Sequence, residues 1–162
     1  MRRLLQNLTT GTWHLNRALS PSEREAITEA VREAEKNTSA QIKVVVESSL
    51  HMMDVIRGQT ARERALAVFG LERVWDTSNN NGILLYLLLA EHDAEIVVDR
   101  GFNDKVDSST WKSVCSVLES ENARSSFAHA VCSAVQEIGR VANSIFPSTV
   151  HPNELPDEVR VR

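Results

Sequence analysis

The chain has little thiol, phenol or imidazole: two cysteines, one tyrosine and five histidines. Two cysteines cannot build the multi-bridge framework of a small secreted domain. Cys115 and Cys132 both fall in helical patterns among apolar neighbours, which predicts buried free thiols. Neither has a base or a positive neighbourhood close by in sequence, so neither is a candidate nucleophile. His14, His51, His92, His129 and His151 show no zinc-ligand spacing. The longest apolar run, residues 83–90, is too short to cross a bilayer. Arg2-Arg3-Leu4-Leu5 passes at once into Gln6-Asn7, so no apolar centre of a leader peptide forms. A phosphate-binding Gly-x-x-x-x-Gly-Lys loop, a dinucleotide fingerprint and a Gly-x-Ser-x-Gly elbow are all missing. Neither cysteine is followed by five residues and an arginine, and no strand ends in Asp-x-Asp. A net charge of -4 argues against nucleic acid as a partner. The absences together predict a cytoplasmic protein with no transmembrane segment, and they weigh against a hydrolase or phosphoryl-transfer enzyme.

What is present suits one domain with a sizeable core, at 42% apolar and 25% charged residues over 162 positions. Residues 1–19 lack a clear period and read as an N-terminal arm in which Leu4, Leu5, Leu8, Trp13 and Leu15 pack on the domain. Residues 20–147 form the domain itself. Ser20-Pro21-Ser22-Glu23 and Thr60-Ala61-Arg62-Glu63 are capping boxes, each opening a helix. The first helix should stop near Asn37, and Gly70 stands where the second would take a left-handed residue. QIKVVVE, residues 41–47, reads as a strand, and residues 48–59 read as a connecting loop. Apolar spacing predicts a helix around Trp111, Val114, Cys115 and Leu118, and a longer one from Phe127 to Ile145 that Pro147 ends. Residues 148–162 hold Pro152, Pro156 and many charges, and read as an extended or disordered tail.

The stretch Trp75-Asp76-Thr77-Ser78-Asn79-Asn80-Asn81-Gly82 runs into seven apolar residues, 83–89, and a short turn leads to another strand at 95–99. Strand, helix, strand makes a right-handed parallel crossover. The tight turn makes the next strand antiparallel. Strands this apolar need both faces covered. The predicted class is therefore α/β, a three-layer α/β/α sandwich around a small mixed sheet. In that topology the start of the middle strand and the end of the last share a rim. Glu47, Glu91, His92 and Asp93 then gather at the opposite one.

The shared rim collects Asp76, Asn79, Asn80, Asn81, Asp99, Arg100, Asn103, Asp104 and Asp107. Carboxylate and amide oxygens are hard ligands, so Asp76, Asp99, Asp104 and Asp107 are candidate ligands for calcium or magnesium. Asn80, Asn81 and Arg100 are candidate binding residues, and the arginine could grip a phosphate or carboxylate bidentately. The same residue types have structural uses: turn formation for Asp76 and the asparagines, a helix cap for Asp107 or Ser108. Both uses stay open. Asp99 and Arg100 are adjacent on a strand end and should face opposite sides.

Helix, strand, helix, Asn80-Asn81-Gly82-Ile83-Leu84-Leu85-Tyr86, a hairpin, Val97-Val98-Asp99-Arg100-Gly101-Phe102, Trp111 and Phe146-Pro147 together resemble the TPM domain family over residues 20–158. That family includes thylakoid lumen proteins tied to photosystem II repair and many bacterial proteins. Asn153-Glu154-Leu155-Pro156 resembles its short bacterial branch, often encoded near LemA-type membrane proteins. The resemblance implies a compact α/β sandwich, divalent cation binding, and a phosphatase activity known for a plant relative. It also points to a membrane-associated protein partner and a place at the periphery of the inner membrane. Two functions follow as expectations. The first is a non-catalytic accessory or interaction module binding through the rim. The alternative is a low-activity metal-dependent phosphatase in which Arg100 clamps the phosphate. No oligomeric state follows from the sequence.

Overall fold

A computed structural model describes residues 2–10, 15, 18–122, 124–148 and 150–162. Trp13 and His14 lie outside the described residues.

Both capping boxes form as the sequence requires. Ser20 Oγ accepts the Glu23 N–H while the Glu23 carboxylate accepts the Ser20 N–H, opening the helix Pro21–Glu35 (α2), and nearer the start of the chain lies the helix Arg2–Thr9 (α1). Thr60 and Glu63 repeat the exchange at the start of Ala61–Leu71 (α4). Gly70 does not end that helix. It stays in a helical turn, and the left-handed residue is Arg73, at φ 55°. Residues 48–59 are not all loop, because His51 caps a short helix, Met52–Ile56 (α3). The arm is itself helical at α1, which docks through Arg3 and Asn7 onto the Glu91 carboxylate.

The sheet has the strands Gln41–Glu47 (β1), Gly82–Leu88 (β2), Asp93–Val98 (β3) and Arg160–Val161 (β4), in the order β3-β2-β1-β4. β1 and β2 are parallel, with Gln41 opposite Gly82, and β2 and β3 are antiparallel, with Ile83 opposite Val98. The hairpin between them passes through a 3-10 turn, Leu89–Glu91, and a left-handed His92. The tail supplies the fourth strand: β4 lies parallel to β1, with Val45 opposite Arg160. The tail is thus extended and docked.

Strand alternation divides the core in two. Ile42, Val44, Val46, Ile83, Leu85 and Leu87 meet Ile27 and Val31 of α2, together with Trp111 and Val114 of Ser108–Asn122 (α5) and Val131, Val135 and Ile138 of Phe127–Ile145 (α6). Val45, Leu84, Tyr86, Leu88 and Val97 face the other way, onto Ala61, Ala65 and Val68 of α4 and onto Val55 and Leu50. Helices therefore cover both faces of a mixed sheet, as the apolar strands demand.

The second core carries a buried polar cluster. Glu47 receives Arg64 Nε at 2.9 Å, Arg64 Nη2 at 2.7 Å and the Tyr86 hydroxyl at 2.7 Å. The outer edge of β3 is blunted by side chains: Arg62 Nη1 reaches the Ile96 carbonyl at 2.6 Å, and the Asp93 carboxylate takes the Ala94 N–H. Such contacts occupy backbone groups that would otherwise recruit another strand.

Gly82 is where the loop after α4 crosses the start of β2. A Cβ there would lie 1.9 Å from the Val74 carbonyl oxygen, so backbone must move to admit it. Gly82→Ala is expected to cost about 2 kcal/mol. The check is the urea midpoint at unchanged slope.

Candidate functional site

The rim forms where chain direction put it. Asp99 N–H bonds to the Gly82 carbonyl at 2.9 Å, and Gly101 N–H to the Asn80 carbonyl at 2.8 Å. Asn80 holds a left-handed turn at φ 51°, and its Oδ1 accepts Arg100 Nε at 2.8 Å. A Cβ on Gly101 would come within 2.4 Å of the Asn80 oxygen, which explains a glycine directly after Arg100. Asn80, Asp99, Arg100 and Gly101 are thus true neighbours.

Asp99 caps the 3-10 turn Arg100–Phe102, accepting the Arg100 N–H on Oδ1 at 2.7 Å. The two residues are therefore linked through the arginine's main chain, while its guanidinium turns to Asn80. The turn is anchored from below by Phe102, which packs edge-on against Trp111 at 5.7 Å and Phe146 at 4.9 Å. Asn81 is 1% exposed; its N–H bonds to Thr77 Oγ1 at 3.0 Å and its Nδ2 to the Ser39 carbonyl at 2.8 Å.

Two oxygens at this rim are buried without a hydrogen-bond partner among the described residues: Asn81 Oδ1 and Asp99 Oδ2. Both are acceptors, so the rim is short of donors or of positive charge. Alternation puts Asn81 on the face of Ile83 and Asp99 on the face of Val97, so the two oxygens look to opposite sides of the sheet. They do not make one cage for an ion.

The remaining candidates spread outward. Asp76 is exposed and paired with Arg73, and Asp104, left-handed at φ 60°, and Asp107 are both exposed. Among the described residues no three of His, Cys, Asp and Glu gather into a group that could hold a metal ion. The rim offers calcium or magnesium the right atom type at Asp99 and Asn81, without a full set of carboxylates around either.

The tail contributes a residue that the sequence reading left aside. Glu154 accepts the Ser78 N–H at 2.8 Å and also pairs with the Ser78 hydroxyl, pinning the asparagine loop from outside. Gln41 and Lys43 were the available signal: two polar residues at alternate positions of an otherwise apolar strand need buried partners. Two of the histidines serve structure. His51 caps α3 through Nδ1, and His151 donates from Nε2 to the Glu35 carbonyl at 2.9 Å. Both cysteines are free, and burial pushes the Cys115 thiol up to about 11, which keeps it protonated and a poor nucleophile.

An α/β sandwich with an Asn-Gly strand start facing an Asp-Arg-Gly strand end defines a class of domain. The family model of the TPM domain matches residues 15–141, and the chain belongs to that family. Among solved structures, the NMR structure of the BA42 protein from the psychrophilic bacterium Bizionia argentinensis is similar, with a TM-score of 0.74 and 27% identity. The likeness covers 89% of this chain and 95% of that one. A comparison with curated proteins returns no match. Among the described residues no helix is long and apolar enough to cross a membrane.

Proposed function

We propose that the chain is a non-catalytic TPM-domain module that engages a protein partner through the rim of residues 76–81 and 99–104. The supporting observation is the exposed Arg100, held at the rim by Asn80 Oδ1 at 2.8 Å and flanked by the exposed polar residues Asp76, Ser78, Asn79, Asn103 and Asp104. A partner with a carboxylate and amide groups can pair with the Arg100 guanidinium and the polar edge beside it. A membrane-associated protein is the partner that the family resemblance favours. The test compares capture by the wild type with capture by an Asn80→Ala, Arg100→Ala variant of equal melting temperature. The variant should lose a partner that the wild type retains; identical capture overturns the reading.

Calcium or magnesium at Asp99 is the cationic form of the same idea, supported by the orphaned carboxylate oxygen. At a tenfold excess over its Kd such an ion should raise the melting temperature by roughly 4 °C, and Asp99→Asn should abolish the rise. A flat melt in millimolar calcium and in magnesium removes the cation. The metal-dependent phosphatase has less support, since it needs an ion held by several ligands and none of the described carboxylates gather into such a set.

A further inference from the structure

Gln41 and Lys43 are buried on β1, at 0% and 5% exposure, and their polar ends are committed to main chain. Gln41 Oε1 accepts the N–H groups of Glu154 at 2.6 Å and Leu155 at 3.0 Å. Lys43 Nζ donates to the carbonyls of Pro156 at 2.8 Å and Glu158 at 2.9 Å. The ladder then takes over: Arg162 N–H bonds to the Val46 carbonyl, and Ser48 N–H to the Arg162 carbonyl, each at 2.9 Å. All six contacts are to main-chain atoms, across bends at Leu155 and Glu158, and none depends on a ligand side chain. This is how sheet edges bind peptides.

Side chains add selectivity along the same line. Leu155 enters the second core at 7% exposure, while Val159 and Val161 pack on the first. Glu154 meets Ser78, Asp157 meets Arg32, and Arg162 and Arg160 meet Glu72. Acid, leucine and proline at one end and alternating valine and arginine at the other therefore find complementary partners. The connection from α6 is held by Ser148 N–H on the Asn37 carbonyl at 3.1 Å and by His151 Nε2 on the Glu35 carbonyl at 2.9 Å, with Val150 between them at 90% exposure.

We propose that the β1 edge, with Gln41 and Lys43, is a binding site for an extended peptide, and that it accepts segment 153–162 from a second copy of this chain in place of its own. The contacts above involve only that segment and the groove, so they form equally well in cis or in trans. A short tether gives the resident segment an effective concentration of about millimolar, which favours cis docking until the tether is cut or made too short.

Two experiments on the folded chain test this. In the first, a protease site is inserted after Val150, the folded protein is cut, and a fluorescent peptide of residues 153–162 is added. Its anisotropy should rise on the cut protein, the uncut chain should bind at least about tenfold more weakly because its own segment competes, and a peptide of scrambled order should not bind. Absence of binding to cut protein that keeps its circular dichroism overturns the site. In the second, residues 149–151 are deleted, which shortens the tether by about 10 Å and disfavours docking in cis. Light scattering should then report a dimer; a monomer overturns exchange between copies, and it decides the matter if cutting unfolds the protein.

Discussion

Arg64→Met is expected to lower folding stability by about 3 kcal/mol, read from the urea midpoint at constant slope. Arg64 and Tyr86 both donate to the Glu47 carboxylate, whose side chain is 10% exposed. The bond to Glu47 raises the arginine's own pKa, while burial and the same carboxylate push the Tyr86 hydroxyl up. Deleting the guanidinium leaves a carboxylate facing one neutral donor in a second core built of valine, leucine and alanine. The cost sits at the lower end for a broken buried pair, because the Arg64 side chain keeps 22% exposure. The double change Glu47→Leu, Arg64→Met should recover part of the loss, since no charge is then stranded although the buried Tyr86 hydroxyl loses its acceptor. A double variant no more stable than Arg64→Met alone contradicts this account.

Stability should fall as pH rises from about 4.5 to 8, and Glu35→Gln should remove most of that slope. Burial pushes the Glu35 carboxyl up to about 8, against a partial offset from the Ile42 N–H it accepts at 2.6 Å. An acid with a raised folded pKa binds its proton more tightly in the native state. Its contribution is complete below the unfolded value of 4.5 and is lost as pH climbs through about 8. Each pH unit inside that window costs roughly 1.4 kcal/mol, so the whole effect is on the order of 5 kcal/mol. Urea titrations at pH 5 and pH 8 measure it. Equal slopes in wild type and Glu35→Gln would mean that another group carries the dependence. Asp157 and Lys43 flank Glu35, with opposite influence on it, so the charge that appears at high pH forms beneath the docked tail.

Much of the fold was legible because its signals are local. A capping box spans four residues, and both boxes marked their helix starts correctly. Apolar runs of β1 and β2 announced two covered faces, and the short turn fixed the direction of β3. What stayed hidden depends on distant partners. β4 is two residues long and has meaning only beside β1, so charges and prolines read as a loose tail. α1 is only eight residues long, so Leu4, Leu5 and Leu8 complete barely two turns and set no period over residues 1–19. Gly70 misled because a glycine near a helix end is only permissive; Arg73 took the left-handed position instead. At the rim, chain direction brought Asn80 and Arg100 together as the topology required. It could not say which carboxylates would converge, because that is set by side-chain direction. Asp76 turned to Arg73 and Asp99 to the backbone of the next residue.

The two margins of the sheet become protected at different times during synthesis. β3 is shielded by Arg62 and Asp93, which are made before it or as it begins. β1 waits for residues 113 positions further on, such as Pro156 for Lys43. At ribosomal speed that delay is roughly ten seconds, during which the nascent chain carries an unshielded β1 and needs either a chaperone or a neighbour that does not stick to it.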